Sequence, residues 1–401
     1  MPSVSRDIAR RAVLVFILLS LVSLFGDIAY EGGRSVSGQY LEVLGAPALA
    51  AGVLGIGEFL AYAIRLPASL VISVKKSNRL LWAMVILGYS LIIAIPLIAL
   101  TRNWYLVLAL YFIERIGKGL RSPARDVVVA DITDKAIGRG KGFGIHEVLD
   151  QVGAVLGPLA VSSALIGGLG YSYAYLILLP PVLLAVALVT TASVLYPRIG
   201  FTRKGAGVLT GLASGEAAKK YLVFTGLLSL GFMHWGLISY HVKRIGIVSE
   251  DVIPLYYALA MGVDAVVAIP LGILYDRYGL EILLAIPLAS LPIAPLVLLA
   301  GNPVTLGIAS ALLGIVLCSY DSVLKAAAAD FTPSASERAL LFGWLGFVWG
   351  ISWAIGNATG GALYDYLGPL TLSIFYPLIT LVSLVYMLSI VKTKDLKPYT
   401  K

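Results

Sequence analysis

The sequence predicts an all-α membrane protein of about twelve transmembrane helices, arranged as two pseudo-symmetric halves of six. Three observations carry that expectation. Of 401 residues, 59% are hydrophobic and 13% charged, against roughly 25% charged in soluble domains, and the mean hydropathy is +0.91. Apolar runs of about 18 residues or more, the bilayer-spanning signal, recur along the whole length. The halves also echo each other. Asp131, Thr133, Arg139, Phe143 and Gly144 fall on Asp330, Thr332, Arg338, Phe342 and Gly343 at an offset of 199, and Gly157 meets Gly356 at the same offset.

Hydropathy places the spans at 11–34, 47–73, 80–100, 104–130, 139–166, 172–196, 219–242, 252–275, 281–300, 303–330, 338–364 and 368–391. Several exceed the ~20 residues a bilayer needs, which implies tilt or extension beyond it. The domain reading is an N-terminal six-helix half over 1–196, a Gly/Ser/Lys-rich cytoplasmic linker over 197–218, and a C-terminal half over 219–401. The N-terminal run reads as a first transmembrane helix, because its basic head and apolar stretch continue without a small-residue cleavage site.

The net charge of +8 has an orientational meaning in such a chain. With the N-terminus inside, one set of loops holds Arg6, Arg10, Arg11, Lys75, Lys76, Arg79, Arg139, Lys141, Arg198, Arg203, Lys204, Lys219, Lys220, Arg277 and Arg338. The opposite set holds little beyond Arg102, Lys243 and Arg244. That asymmetry places both termini in the cytoplasm and requires an even number of spans. The lone Cys318 excludes an intramolecular disulfide and a cysteine-based metal site.

Three motifs resemble those of the major facilitator superfamily, built from two six-span halves. They are G-x-x-x-D-R-x-G at Gly272, Asp276, Arg277 and Gly279, an Arg-x-x-polar-Gly at Arg115, Lys118 and Gly119, and G-x-x-x-G-P at Gly153, Gly157 and Pro158. The resemblance covers the whole chain and implies a transporter that alternates between inward- and outward-facing states. The G-x-x-x-G-P motif goes in that family with exporters that exchange substrate for protons. The first-half copy of the D-R-x-G motif is degraded: residues 71–79 read VISVKKSNR, with Val71, Lys75 and Asn78 at its glycine and aspartate positions. The resemblance therefore puts this gating motif on the C-terminal half.

Ionisable residues inside the spans are the functional candidates, since a charge at the bilayer centre costs about 2.5–3.5 kcal/mol even on the lenient insertion scale. The interiors of spans three, six, nine and twelve lack charges, which marks those helices as outer scaffold. Span one carries Asp27, Glu31 and Arg34 on one helical face, either a coupling carboxylate with an arginine partner or a structural ion pair. Span two carries Glu58, Tyr62 and Arg65. Span four lines up Glu114, Lys118, Arg121 and Arg125; the last two, with Asp126, suit the cytoplasmic end and gating. Arg115 sits deeper and keeps its proton, so its work is to hold a carboxylate ionised or bind an anion, with Asp27 or Asp150 as partner.

Span five offers His146, Glu147 and Asp150. His146 is the side chain type that titrates near physiological pH, and Asp150 shares a face with Gly153 and Gly157, which admit a close neighbour. His234 and Asp264 form a candidate second titratable pair, Asp321 and Lys325 an i, i+4 pair, and Trp344, Trp349, Trp353 and Asn357 line span eleven.

No nucleotide loop, nucleophile elbow or zinc motif points to an enzyme or a cofactor. The expected partners are a small-molecule substrate, protons and the lipid bilayer, without nucleic acid, for a monomer in the cell membrane. The leading reading is a proton-coupled secondary active transporter, with an exporter or antiporter direction favoured by the motif. The alternatives are a facilitator or divalent metal-ion permease on the same fold, and a membrane sensor without turnover.

Overall fold

The computed structural model describes residues 2–136, 139–196, 216–331 and 335–392, excepting the side chains of 2–10, 134–143, 300, 321, 335–339 and 392. The described residues are helical almost throughout and contain no strand. Among the described residues, ten stretches are long and apolar enough to cross a membrane. One of them, Ile253–Leu299, is 47 residues long and holds two crossings, and Trp104–Ala136 completes twelve although its charges exclude it from a purely apolar count.

The crossing helices are α1 (Pro2–Ser35), α2 (Ala48–Lys75), α3 (Asn78–Leu100), α4 (Trp104–Ala136), α5 (Arg139–Ile166) and α6 (Gly170–Leu195). They continue as α7 (Glu216–Ile245), α8 (Ile253–Tyr278), α9 (279–300), α10 (Pro303–Asp330), α11 (Ala335–Leu367) and α12 (Leu372–Lys392). Prolines 67, 123, 158, 270 and 377 lie inside helices, as membrane helices tolerate when neighbours satisfy the freed backbone.

Two compact units emerge: Met1–Arg34 with Leu60–Gly205, and Ser35–Phe59 with Ala206–Lys401. Most of the expected linker, 197–215, lies outside the described residues, as do the backbone at Thr332 and the side chains of Arg139, Phe143, Asp321 and Arg338.

The internal repeat has a packing counterpart. In the first unit a Cβ on Gly157 of α5 would collide with the Ile28 carbonyl oxygen of α1 and lie 2.7 Å from the Gly32 amide nitrogen. In the second, a Cβ on Gly356 of α11 would collide with the Leu230 carbonyl oxygen of α7. The same glycine thus brings the fifth helix of each half against the first. Likewise Gly119 of α4 meets Ala61 and Ile64 of α2, and Gly314 of α10 meets Ala260 and Val263 of α8. In a bilayer, association rests on such close backbone contact. The echoed aspartates also share a role: Asp131 accepts a hydrogen bond from Tyr196 Oη (2.9 Å), and Asp330 accepts one from Tyr275 Oη (2.7 Å).

The scaffold expectation divides. Only 28% of the most apolar stretch of α6 is buried, against 78% in α7, while α3 is as buried as α1, at 50%. The reason lies on two faces of α3: Gly88 packs against Gly117 and Arg121 of α4, and Tyr89 against Gly26 of α1.

The helix α7 is broken at 231–234. Asn357 of α11, fully buried, repairs the break: its Nδ2 donates to Phe232 O (3.0 Å) and its Oδ1 accepts from the His234 amide (2.7 Å).

Gly157→Leu is expected to destabilise the detergent-purified protein by roughly 1–3 kcal/mol, the usual range for overpacking. Gly144→Ala, at a helical glycine with nothing within 4 Å, leaves stability unchanged or slightly raised. Thermal unfolding of the two variants checks the contrast.

Candidate functional site

The first unit concentrates the buried charge, and α4 supplies most of it. Glu114 has no solvent exposure. Its carboxylate accepts from Arg115 Nε at 2.6 Å and from Arg121 Nη2 at 3.0 Å, and Arg115 Nη2 stands 2.5 Å away as part of the ion pair. Arg121 Nη1 donates to the Gly88 carbonyl oxygen of α3 (3.1 Å). One carboxylate facing two guanidiniums leaves positive charge over, and aromatic faces take it up: Arg115 lies 3.4 Å from the Tyr30 ring centre, Lys118 4.9 Å from the same ring, and Arg121 5.2 Å from Tyr89.

This cluster corrects two expectations. The carboxylate that holds Arg115 is its chain neighbour Glu114, where the sequence pointed to Asp27 or Asp150. Arg121 is 5% exposed and belongs to the interior with Glu114, rather than to a solvated cytoplasmic end. Adjacent residues on a helix do not face each other, but the long arginine side chain curls back far enough to reach.

A second cluster gathers around a serine. Ser23 Oγ of α1 lies 3.0 Å from His146 Nε2 of α5 and 3.4 Å from Tyr89 Oη of α3, and it accepts from Arg125 Nη1 of α4 at 3.1 Å. Arg125 is also 3.8 Å from Asp150, and His146 Nε2 is 4.0 Å from the same carboxylate. Asp126 accepts from Arg125 Nε and Nη2 at 3.1 and 3.0 Å. Four helices therefore meet on one hydroxyl. His146 and Asp150 are thus brought together beside the guanidinium of Arg125.

Asp27 borders the same contact, because Gly153, one turn beyond Asp150, would place a Cβ 3.1 Å from Asp27 Cβ. The α1/α5 glycine contact thus carries a carboxylate on each helix. Further along α1, Glu31 and Arg34 pair at 3.7 Å. On α2, Glu58 is buried and Arg65 lies over the Tyr62 ring at 5.1 Å.

In the second unit, His234 Nδ1 accepts the Gly236 amide at 2.8 Å, capping the resumed half of α7. One ring nitrogen of His234, which the sequence pairs with Asp264, is thus engaged in capping. Trp349 and Trp353 are buried and pack on Tyr320 and His234, so they form core. Along the D-R-x-G motif, Asp276 and Arg277 are exposed and Arg277 lies 5.3 Å from the Tyr278 ring. Gly279 closes α8 at φ +60°, where a side chain is disfavoured, while Gly272 has open space around it. Among the described residues no three of His, Cys, Asp and Glu converge as metal ligands. Sequence reasoning missed Ser23, Tyr30 and Tyr89. Charge-spotting passes over them, since serine and tyrosine are not counted among the charged residue types.

A family model described as Major Facilitator Superfamily matches residues 12–247 and 232–400. An uncharacterised protein of Mycobacterium tuberculosis (strain ATCC 25618 / H37Rv) is 34% identical over 367 residues, 89% of this chain and 87% of its own. An uncharacterised MFS-type transporter of Methanocaldococcus jannaschii is 27% identical over 168 residues, 41% of each chain. Among solved structures, a mutant of the nucleoside transporter NupG superposes with a TM-score of 0.76 at 13% identity, over 94% of this chain and 99% of that one. At that identity the likeness shows the fold alone.

Removing Glu114 strands two buried guanidiniums, a situation that costs roughly 3–5 kcal/mol. Glu114→Gln is therefore expected to lose folded yield and thermal stability sharply. Lys243→Ala, at a pair with Glu250 whose side chains are 27% and 43% exposed, is expected to change stability by about 1 kcal/mol or less. Size-exclusion profiles and unfolding curves of the two variants measure the difference.

Proposed function

From the premise that the chain belongs to the Major Facilitator Superfamily, and is thus a multi-pass membrane transporter, we propose that it is a secondary active transporter moving a small solute by alternating access in exchange with protons. The observation that carries this reading is the Ser23 cluster: His146 and Asp150 beside Arg125, inside the helical bundle of the first unit. A carboxylate held against a guanidinium can take up a proton and release the cation, so its protonation changes the ionic contacts between α4 and α5. Asp27, across the Gly153 contact, is the second coupling carboxylate. Arg115, bound to Glu114, acts as structure rather than as their partner.

Arg125 and Asp126, with Gly272, Asp276, Arg277 and Gly279, take the gating role that the motif supports. Glu31, Arg34, Glu58, Arg65, His234 and Asp264 line the remaining cavity helices in this reading. The proposed organisation keeps two six-helix halves, 1–196 and 219–401, joined by 197–218, in a monomer of the cell membrane. The basic-residue asymmetry supports cytoplasmic termini, and the G-x-x-x-G-P motif at Gly153, Gly157 and Pro158 supports export by proton exchange.

The solute is found first, by a thermal-shift screen, since a ligand of the folded state raises stability by mass action. In proteoliposomes a one-unit pH difference is worth about 1.4 kcal/mol per proton, roughly a tenfold solute gradient at one proton per solute. The parent protein is expected to build such a gradient, and Asp27→Asn and Asp150→Asn each to lose it while still binding the solute. Retention of gradient-driven transport by both variants sinks the assignment.

A further inference from the structure

The helix α2 lacks a cap of its own. The residues before Ala48 are Gly45, Ala46 and Pro47, none with a side-chain acceptor, although the first amides of any helix need one. The acceptor comes from 317 residues away: Asp365, at the end of α11, receives the Ala48 amide on Oδ1 at 2.8 Å and the Leu49 amide on Oδ2 at 2.8 Å. A carboxylate there meets both the unpaired amides and the positive end of a 28-residue helix.

The contact is built up around that bond. A Cβ on Gly361, one turn before Asp365, would lie 2.7 Å from Ala48 O and Leu49 Cα, and one on Gly52 would collide with the Asn357 carbonyl oxygen. Tyr240 Oη donates to Ala46 O (2.8 Å), Trp235 Nε1 to Ser35 O (2.9 Å) and Gln39 Nε2 to Glu250 O (3.0 Å). These bonds tie residues 35–59 to the helices of the C-terminal half within one compact unit. The tie at Asp365 is the charged one among them.

The sequence around Asp365 has a precedent inside the chain. Residues 361–368 read GALYDYLG and residues 272–279 read GILYDRYG, so both follow G-x-L-Y-D-x-x-G. Both octets end a helix on a glycine at positive φ, +89° at Gly368 and +60° at Gly279. On the basic-residue reading, the second octet stands at the opposite membrane face from the first.

We propose that Asp365 is a latch on the non-cytoplasmic side: its carboxylate caps α2 only while 35–59 is docked on α7 and α11, so the docked state is favoured by the strength of the cap. Undocking uncaps α2 and leaves the carboxylate without its two amide donors. As a latch it rests on the alternating-access reading; the tie itself is measurable without solute or gradient, so the two readings fail separately.

Hydrogen exchange followed by mass spectrometry on the purified full-length protein tests it, because protection reports rare opening as well as common opening. Asp365→Ala is expected to lower protection together in 35–52 and in 357–368 by roughly 2- to 30-fold, the factor a lost helix cap carries, with α5 unaffected. Ala48→Pro, which removes one of the two donors at a helix position that accepts proline, is expected to do the same to a smaller degree and decides the matter if Asp365→Ala does not fold. A change confined to amides 48–50, an equal loss everywhere, or no change in either variant overturns the latch.

Discussion

Charge inside a low-dielectric bundle must be neutralised by the protein itself, and Glu114 is where this chain meets that constraint. Its carboxylate, wholly removed from solvent, holds Arg115 and Arg121 on one helix, and through Arg121 reaches the Gly88 carbonyl on another. The excess positive charge rests on Tyr30 and Tyr89. Tyr89 then leads to Ser23, and Ser23 to Arg125 and His146. The static ion cluster and the candidate proton site are therefore neighbours that share a tyrosine. Beside this tightly bonded centre stands a looser group, with Arg125 3.8 Å from Asp150 and His146 4.0 Å from it.

Glycine decides where those groups stand. Gly153 and Gly157 draw α5 onto α1, and the carboxylates of Asp27 and Asp150 come with the helices that carry them. The second half keeps the contact, through Gly356 and Leu230, but not the chemistry: the positions that match His146 and Asp150 at the repeat offset are Leu345 and Trp349. Trp349 is buried against Tyr320 and Trp353. At these matched positions the duplicated architecture carries titratable groups in one half and apolar packing in the other.

Much of the fold was legible because lipid imposes simple rules. Length and hydropathy mark the crossings, and even α4, heavily charged, betrays itself by spacing and by its place in the repeat. The site was legible in part. His146 and Asp150 stand out as ionisable residues on an apolar helix, and their meeting with Arg125 follows from helical faces. Arg115 was misread because helical periodicity says which face a residue starts from, not how far a long side chain bends back toward its neighbour. Arg121 was misread because distance from a span's end is a poor guide to depth when a buried acceptor lies one or two turns away. Asp365 carried a written signal, the G-x-L-Y-D-x-x-G octet, but at a spacing unrelated to the duplication of the halves.

The unwound turn in α7 bears on how the molecule is assembled. Between residues 231 and 234 the helix leaves backbone groups without their usual partners, and in lipid each such group costs several kcal/mol. Asn357 satisfies the Phe232 carbonyl and the His234 amide, but Asn357 is synthesised more than a hundred residues later, on α11. During biosynthesis α7 therefore enters the bilayer before its repair exists. Until α11 arrives, the turn must be held by water, by the insertion machinery or by a neighbouring helix, and α7 reaches its final form only as one of the last pieces of the chain is laid down.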